Sequence, residues 1–319
     1  RKLIISCTGA SGIRDIHRVQ TLWSGYGDIL RVFLDYGESV PARKPASVIV
    51  KFIHPPAQPQ HPRGWHSDTS ASRKLESYRV EAHWYENYSK NCRDLCPMPG
   101  FLSSQTDADN TWLVLQDLNT GHPVRHSFLN ADGCIPCLQW LARFHAYHLG
   151  NTGDGLWPVG CYWHLQTRKD ELDAMATGPL KEAAVLLDTK LTHCNYKTLV
   201  HGDAKVNNFC FSASDVDVAM VDYQYVGCGC GIRDVVYFLG SCLDSKECEM
   251  IAENLLSHYF DELNRHLPNS MQSCVEQEWR SLYATAWADF HRFLAGWMPA
   301  HNKINRYMQA MTQKALKKL

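Results

Sequence analysis

The segment Leu199-Val200-His201-Gly202-Asp203-Ala204-Lys205-Val206-Asn207-Asn208-Phe209-Cys210-Phe211 carries a carboxylate at Asp203, a cation at Lys205 and an amide at Asn208. A short hairpin returns through Val218-Ala219-Met220-Val221 to a second carboxylate, Asp222. Phosphoryl transfer needs this inventory. One carboxylate must orient an attacking hydroxyl and accept its proton. A second carboxylate and an amide oxygen can hold magnesium against the phosphates, because hard cations want oxygen ligands. A lysine between them neutralises charge on the transferred group.

Two textures of chain surround this segment. The first fifty or so residues read as strands and turns: Val19 to Trp23, the turn Ser24-Gly25-Tyr26-Gly27-Asp28, a returning strand Ile29 to Leu34, and a third strand Ala46 to Ile53 that is apolar except for Lys51. Residues 54–65 hold four prolines and read as a mobile loop. Ser72 to Tyr88 has Leu75, Tyr78, Ala82, Tyr85 and Tyr88 three or four apart, the spacing of a helix. Thr111 to Leu118 is a buried strand. After Gly121 long helical patterns take over: about Ile135 to Leu149, Pro179 to Leu191, and several over 246–316, with a β-like insert over Thr198–Val200 and Asn208–Val221. This predicts a small strand-rich N-terminal lobe, 1–118, and a larger, mainly helical C-terminal lobe, 119–319.

The motif His-Gly-Asp-x-x-x-x-Asn followed by apolar-Asp resembles the kinase-like phosphotransferases that include aminoglycoside phosphotransferases and choline kinases. Gly202-Asp203 through Asn207-Asn208 and Val221-Asp222-Tyr223-Gln224 are most similar to the ecdysteroid kinase-like branch. The resemblance runs from about Val19 to Tyr307 and is strongest from Leu199 to Leu239. It implies an α+β, two-lobed protein-kinase-like fold, with a small antiparallel sheet and one helix in the N-terminal lobe, and use of ATP and magnesium. It implies Asp203 as catalytic base, Asn208 and Asp222 as metal ligands, and Lys205 in the place where many serine/threonine kinases keep a phosphate-facing lysine. Lys51, within Val-Ile-Val-Lys, matches the third-strand lysine that contacts the α- and β-phosphates. Glu81 is its expected partner through the Glu-x-x-x-Tyr pattern with Tyr85, in competition with Glu76 and Glu86. Gly25 and Gly27 would cover the phosphates, and Gln116-Asp117-Leu118 would be the hinge offering backbone groups to adenine. Asp234, in Gly227-x-Gly-x-Gly231-x-Arg-Asp, would brace the catalytic loop, with His201 as a structural hydrogen-bonder.

The acceptor is less legible. Trp287, Phe290, Leu294 and Trp297 at helical spacing most simply make a core face. The sharper reading gives part of this stretch, with Asp289 and Trp297, and a second wall at Trp157, to an acceptor pocket that holds an amine by cation–π and charge attraction. Two other readings use the same chemistry-bearing residues. An inactive nucleotide-binding scaffold has no need for a base and two metal ligands. A kinase for protein hydroxyls lacks an evident Ala-Pro-Glu-like peptide platform here.

The balance of 32 basic and 33 acidic side chains, net charge −1, argues against a protein held to nucleic acid mainly by phosphate neutralisation. No apolar run approaches the ~20 residues of a membrane helix, and the apolar stretch at Leu3 to Cys7 is too short for a secretory signal. Thirteen scattered cysteines read as reduced, cytoplasmic thiols; Cys134 with Cys137, and Cys92 with Cys96, have metal-like spacing but read better as packed small hydrophobes. On that reading the sequon Asn87-Tyr88-Ser89 carries no glycan. Nothing in the pattern sets an oligomeric state. Leu3 to Ile13 resembles a dinucleotide turn, but Arg14 stands at the third glycine position and no Tyr-x-x-x-Lys pair follows.

Overall fold

In the computed structural model, which describes residues 1–37, 44–56, 68–107 and 110–319, the chain divides into two units, Arg1–Asp94 with Met98–Pro123, and Leu95–Pro97 with Val124–Leu319. Most of the proline-rich stretch expected as a loop, from residue 57 on, lies outside the described residues.

The first unit runs through α1 (Lys2–Thr8), β1 (Gly12–Thr21), β2 (Gly27–Asp35), β3 (Ser47–Ile53), α2 (Asp68–Asn87), α3 (Ser89–Cys92), β4 (Phe101–Asp107) and β5 (Asn110–Gln116). Its five strands form one antiparallel sheet in the order β1-β2-β3-β5-β4. Alternation along β3 decides which side chain goes where. Val48 and Val50 take one face and pack with Ile4, Val32, Leu34 and Val114. Lys51 and Ile53 take the other, where Ile53 joins Leu22, Tyr26 and Tyr78 of α2. Two elements depart from the sequence expectation. Lys2–Thr8 is helical where the texture of the first fifty residues suggests strand or turn, because burying Ile4 on Val32 and Leu34 outweighs a weak local preference. The strand β4 has no counterpart in the pattern: its Ser103-Ser104-Gln105-Thr106 core is polar, as suits an edge strand paired on one side only.

The second unit contains α4 (Ala131–Tyr147), α5 (Lys169–Ala174), α6 (Pro179–Glu182), α7 (Ala184–Thr192), β6 (Thr198–Val200), β7 (Phe209–Phe211), β8 (Val218–Met220), β9 (Gly227–Gly229), α8 (Ile232–Cys242), α9 (Ser245–His266), α10 (Asn269–Trp297) and α11 (Arg306–Leu316). The single helix expected over Pro179 to Leu191 is interrupted at Ala183, whose ψ of −8° lies at the edge of the helical region. Helix α4 packs on α9, and the long α10 packs on α5, α7, α8 and α11. Trp287, Phe290 and Leu294 are buried on its inner face with Trp279, whereas Trp297, the fourth member of the expected core face, is half-buried. Two antiparallel ribbons, β6 with β9 and β7 with β8, carry the motif segment. Cys134 and Cys137 are fully buried on α4, with Cys134 Sγ 3.8 Å from Cys242 Sγ. Among the described residues no three His, Cys, Asp or Glu side chains group as metal ligands, and no helix is long and apolar enough to cross a membrane.

His148, just past α4, lies edge-on to Phe144 at 4.9 Å, and burial, with the neighbouring His145, lowers its pKa from 6.5 to about 4. Its unfolded-state pKa is then the higher, so the unfolded chain binds the extra proton. This contribution is complete above pH ~6.5 and disappears as pH falls toward ~4, a loss on the order of 3 kcal/mol. Chemical denaturation of wild type and His148→Gln across this range should show a shallower acid limb in the variant; parallel limbs would refute a neutral, buried His148.

Candidate active site

After β6 the chain turns through His201 and Gly202, and both backbone N–H groups donate to the carboxylate of Asp234 in the first turn of α8, at 2.6 and 2.9 Å. The same carboxylate meets His145 Nε2 at 3.2 Å. Gly202 sits at φ +77°, and a Cβ there would lie 2.1 Å from the Tyr225 carbonyl oxygen, so the turn admits glycine alone. His201 Nε2 meets the Val221 carbonyl at 3.1 Å, a contact that needs a proton on Nε2, and Nδ1 accepts the Asp203 N–H at 3.3 Å. Burial pushes the His201 pKa down against the pull of Asp234, Asp203 and Asp222, which fits this neutral tautomer. His201 therefore ties the loop to the strand that leads into Asp222.

Asp203, Lys205 and Asn208 come together at the end of this loop. Lys205 Nζ donates to Asp203 Oδ2 at 2.8 Å, and Asn208 Nδ2 donates to the Asp203 carbonyl at 2.8 Å and to Oδ2 at 3.1 Å. Burial disfavours the Lys205 charge, but Asp203 and Asp222 outweigh it and hold its pKa above the ordinary lysine value. Asp222 follows β8 at φ +72°, a left-handed conformation that costs on the order of 1 kcal/mol for a non-glycine residue. Its Oδ1 accepts from Gln224 Nε2 at 2.6 Å. The donor set suits magnesium. Because a carbonyl oxygen can only accept, the amide nitrogen of Asn208 must face Asp203, and its Oδ1 makes no hydrogen bond among the described residues. An amide oxygen and a carboxylate are the hard ligands such a cation takes.

In the first unit Lys51 Nζ donates to Glu81 Oε2 at 2.5 Å and lies over the Tyr78 ring at 5.7 Å, with both charged side chains almost fully buried. The competing carboxylates are engaged elsewhere: Glu76 with Arg79 at 3.4 Å, and Glu86 with Ser104. Gly25 ends the single turn Trp23–Gly25. Gly27 opens β2 at φ +133°, where a Cβ would lie 1.9 Å from the Phe52 carbonyl oxygen. The Gln116 side chain accepts from Arg93 and from the Gly100 N–H, and Leu118 starts the turn Leu118–Thr120. Asp117 between them carries more than the pattern suggests: it accepts from Arg31 at 2.7 Å, Ser47 at 2.6 Å and the Asn119 N–H at 3.0 Å. Burial works against its charge, but these donors hold its pKa below the usual carboxylate value.

Of the residues named for the acceptor, Trp157 and Trp297 are joined by a run of ring contacts through Tyr225, Tyr162 and Phe293, while Asp289 is set in the core. Asp289 is completely buried: Oδ1 accepts from Arg292 Nη2 at 2.8 Å, and Oδ2 from Trp163 Nε1 at 3.0 Å. It is a core carboxylate already neutralised, which corrects its reading as a receptor for an amine. Trp297 stacks on Phe293 at 5.8 Å, and Trp157 donates from Nε1 to the Gln224 carbonyl at 2.8 Å while stacking on Tyr225. Trp157 thus braces the segment after Asp222.

The fold is that of the protein-kinase-like phosphotransferases. The chain resembles a protein assigned as a fructosamine-3-kinase from Haemophilus somnus, with 12% identity over 99% of this chain and 95% of that one and a TM-score of 0.52. It is also similar to a choline kinase from Cryptosporidium parvum (9% identity, 99% and 94% coverage, TM-score 0.49). A third likeness is to an aminoglycoside phosphotransferase from Streptomyces rimosus in complex with ADP and streptomycin (13% identity, 88% and 96% coverage, TM-score 0.48). Residues 163–271, about a third of the 319, match the model of the ecdysteroid kinase-like family. None of the curated proteins matches the chain. The expected fold class and the resemblance to kinase-like small-molecule phosphotransferases are both borne out. At these identities the structural likeness speaks to the fold alone.

Proposed function

We propose that this protein is an ATP-dependent O-phosphotransferase acting on a small-molecule alcohol. The observation that carries the reading is the contact set of Asp203 with Lys205 and Asn208, which leaves the amide oxygen of Asn208 available beside a loop leading to Asp222. Residues 119–319 act as the catalytic and substrate-binding lobe, and 1–118 as the nucleotide-binding lobe. Lys51, paired with and oriented by Glu81, takes the α- and β-phosphates. Gly25 and Gly27 cover the phosphates, and the backbone at Gln116 and Leu118 meets adenine. Asn208 and Asp222 hold magnesium, which when bound neutralises charge on the phosphates.

Asp203 aligns the acceptor hydroxyl and takes its proton as the oxygen attacks the γ-phosphorus. The bond from that phosphorus to the β,γ-bridging oxygen breaks, and ADP leaves. Lys205 offsets charge on the moving phosphoryl group. The thirteen cysteines, all present as thiols, support a reducing, cytoplasmic setting.

A screen of ATP-dependent phosphoester formation over a metabolite library tests the proposal. A thermal shift by ATP–magnesium without ATP consumption on any alcohol would instead favour a scaffold, and transfer to peptides alone a protein kinase. The magnesium assignment has its own check. Loss of residues that only support a metal ligand costs about 10–100-fold in affinity, so Asp222→Ala, which removes a ligand itself, should weaken magnesium-dependent ATP binding by at least that. Unchanged affinity by calorimetry would remove Asp222 from the role.

A further inference from the structure

Around Asp203 the second unit presents aromatic rings and cations. Tyr237 of α8 is held by Trp163 at 4.9 Å and Phe290 at 5.1 Å, and burial together with the nearby Asp203 charge raises its hydroxyl pKa well above the ordinary value. Over its ring, 5.5 Å from the centroid, stands the ammonium of Lys303, from the turn between α10 and α11. That turn is fixed by the Lys303 N–H donating to His301 Nδ1 at 3.1 Å. Lys303 is half-buried and has no carboxylate at ion-pair distance among the described residues. Burial and then the Lys205 charge lower its pKa, while Asp203 pulls the other way, so it lies within electrostatic reach of both members of that pair.

Two ring faces and two carboxylates of the same neighbourhood are already taken by the protein's own cations. A cationic acceptor needs bare ring faces and a spare carboxylate. The Tyr237 face carries Lys303, and the Tyr162 face carries the Arg168 guanidinium at 4.2 Å. Of the carboxylates beside these rings, Glu171 pairs with Arg168 at 2.8 Å and Asp289 with Arg292 at 2.8 Å. Of Lys205, Arg168, Arg292 and Lys303, only Lys303 has no carboxylate at ion-pair distance among the described residues.

We propose that Lys303 determines acceptor specificity: its ammonium, held on the Tyr237 ring within electrostatic reach of Asp203 and Lys205, receives an anionic substituent of the alcohol and turns amine-bearing alcohols away. The substrate class is thus an alcohol that carries an acidic group, with the rings bounding its apolar part. This deepens the phosphotransferase reading and rests on it.

The test uses the full chain with ATP–magnesium and three acceptors of one shape: para-(hydroxymethyl)benzoate, the corresponding benzamide and the corresponding benzylamine. Phosphoester formation is followed by phosphorus NMR. Wild type should prefer the acid over the amine by at least about tenfold in kcat/KM, the discrimination of a single ~1.4 kcal/mol charge contact. Lys303→Glu should reverse the order, Lys303→Gln should level it through KM, and Lys303→Arg should restore it. A role in folding alone would change all three acceptors together. Transfer that ignores charge in wild type, or an order unchanged in Lys303→Glu, overturns the proposal and leaves the phosphotransferase reading standing. An equal fall in kcat for all three in Lys303→Gln would assign Lys303 to the phosphoryl group if the melting temperature is unchanged, or to folding if it drops, and either result likewise overturns it. If wild type phosphorylates none of the three and no alcohol in the metabolite library, both fall together.

Discussion

Asp203→Asn should bind ATP–magnesium as wild type does and lose transfer, with turnover down on the order of 10²–10⁴-fold. The substitution preserves shape. An asparagine oxygen in the place of Oδ2 can still accept from Lys205 and Asn208, so the loop held by Asp234 and His201 has no reason to move. What disappears is the ability to take a proton, because an amide nitrogen turned toward the hydroxyl can only donate. Lys205 also loses one of the two carboxylates that hold its pKa up, so the loss combines base and electrostatic effects. Turnover with the best acceptor from the screen, beside calorimetric ATP affinity and a melting temperature, separates the possibilities. Full turnover in the variant would end the assignment of Asp203 as base. Loss of nucleotide affinity as well would point to a role for Asp203 in metal binding.

Local geometry was readable in the sequence where few residues decide it. A carboxylate and an amide five residues apart in a turn are brought together by the turn itself, as Asp203 and Asn208 are. Lys51 and Glu81 were legible only through the family resemblance, and the pairing of Lys51 with Glu81 while Glu76 and Glu86 are engaged elsewhere turns on which face of α2 meets the sheet. Contacts across long separations left no such trace. Asp117 draws Arg31 from 86 residues away and Asp289 draws Trp163 from 126. Lys303 stands in a polar turn whose sequence carries no periodicity, and its place over Tyr237 depends on how α8, α10 and α11 pack. The aromatic density of α10 misled in a specific way: rings at helical spacing serve a core as well as a pocket, and the carboxylate among them belongs to the core.

That assignment makes the second large prediction. Asp289→Ala should destabilise the protein by about 3–5 kcal/mol, the cost of leaving a buried ion pair without one partner. Arg292 donates to Oδ1 from Nε at 3.0 Å and from Nη2 at 2.8 Å, and Arg233 Nη2 lies 3.6 Å from Oδ2. Both guanidiniums are fully buried, and Arg233 Nε and Nη1 and Arg292 Nη1 already have no hydrogen-bond acceptor among the described residues. Removing Asp289 leaves Arg233 with Asp188 at 3.2 Å and Arg292 with only the Trp163 carbonyl at 3.0 Å. Because the deficit is an uncompensated charge, pairing Asp289→Leu with Arg292→Met should recover more than half of the lost stability, whereas Asp289→Leu alone should not. Urea unfolding with an unchanged m-value measures each step. A stability loss below about 1 kcal/mol in Asp289→Ala, with a raised KM for the acceptor, would return Asp289 to the substrate and reopen the case for a cationic alcohol.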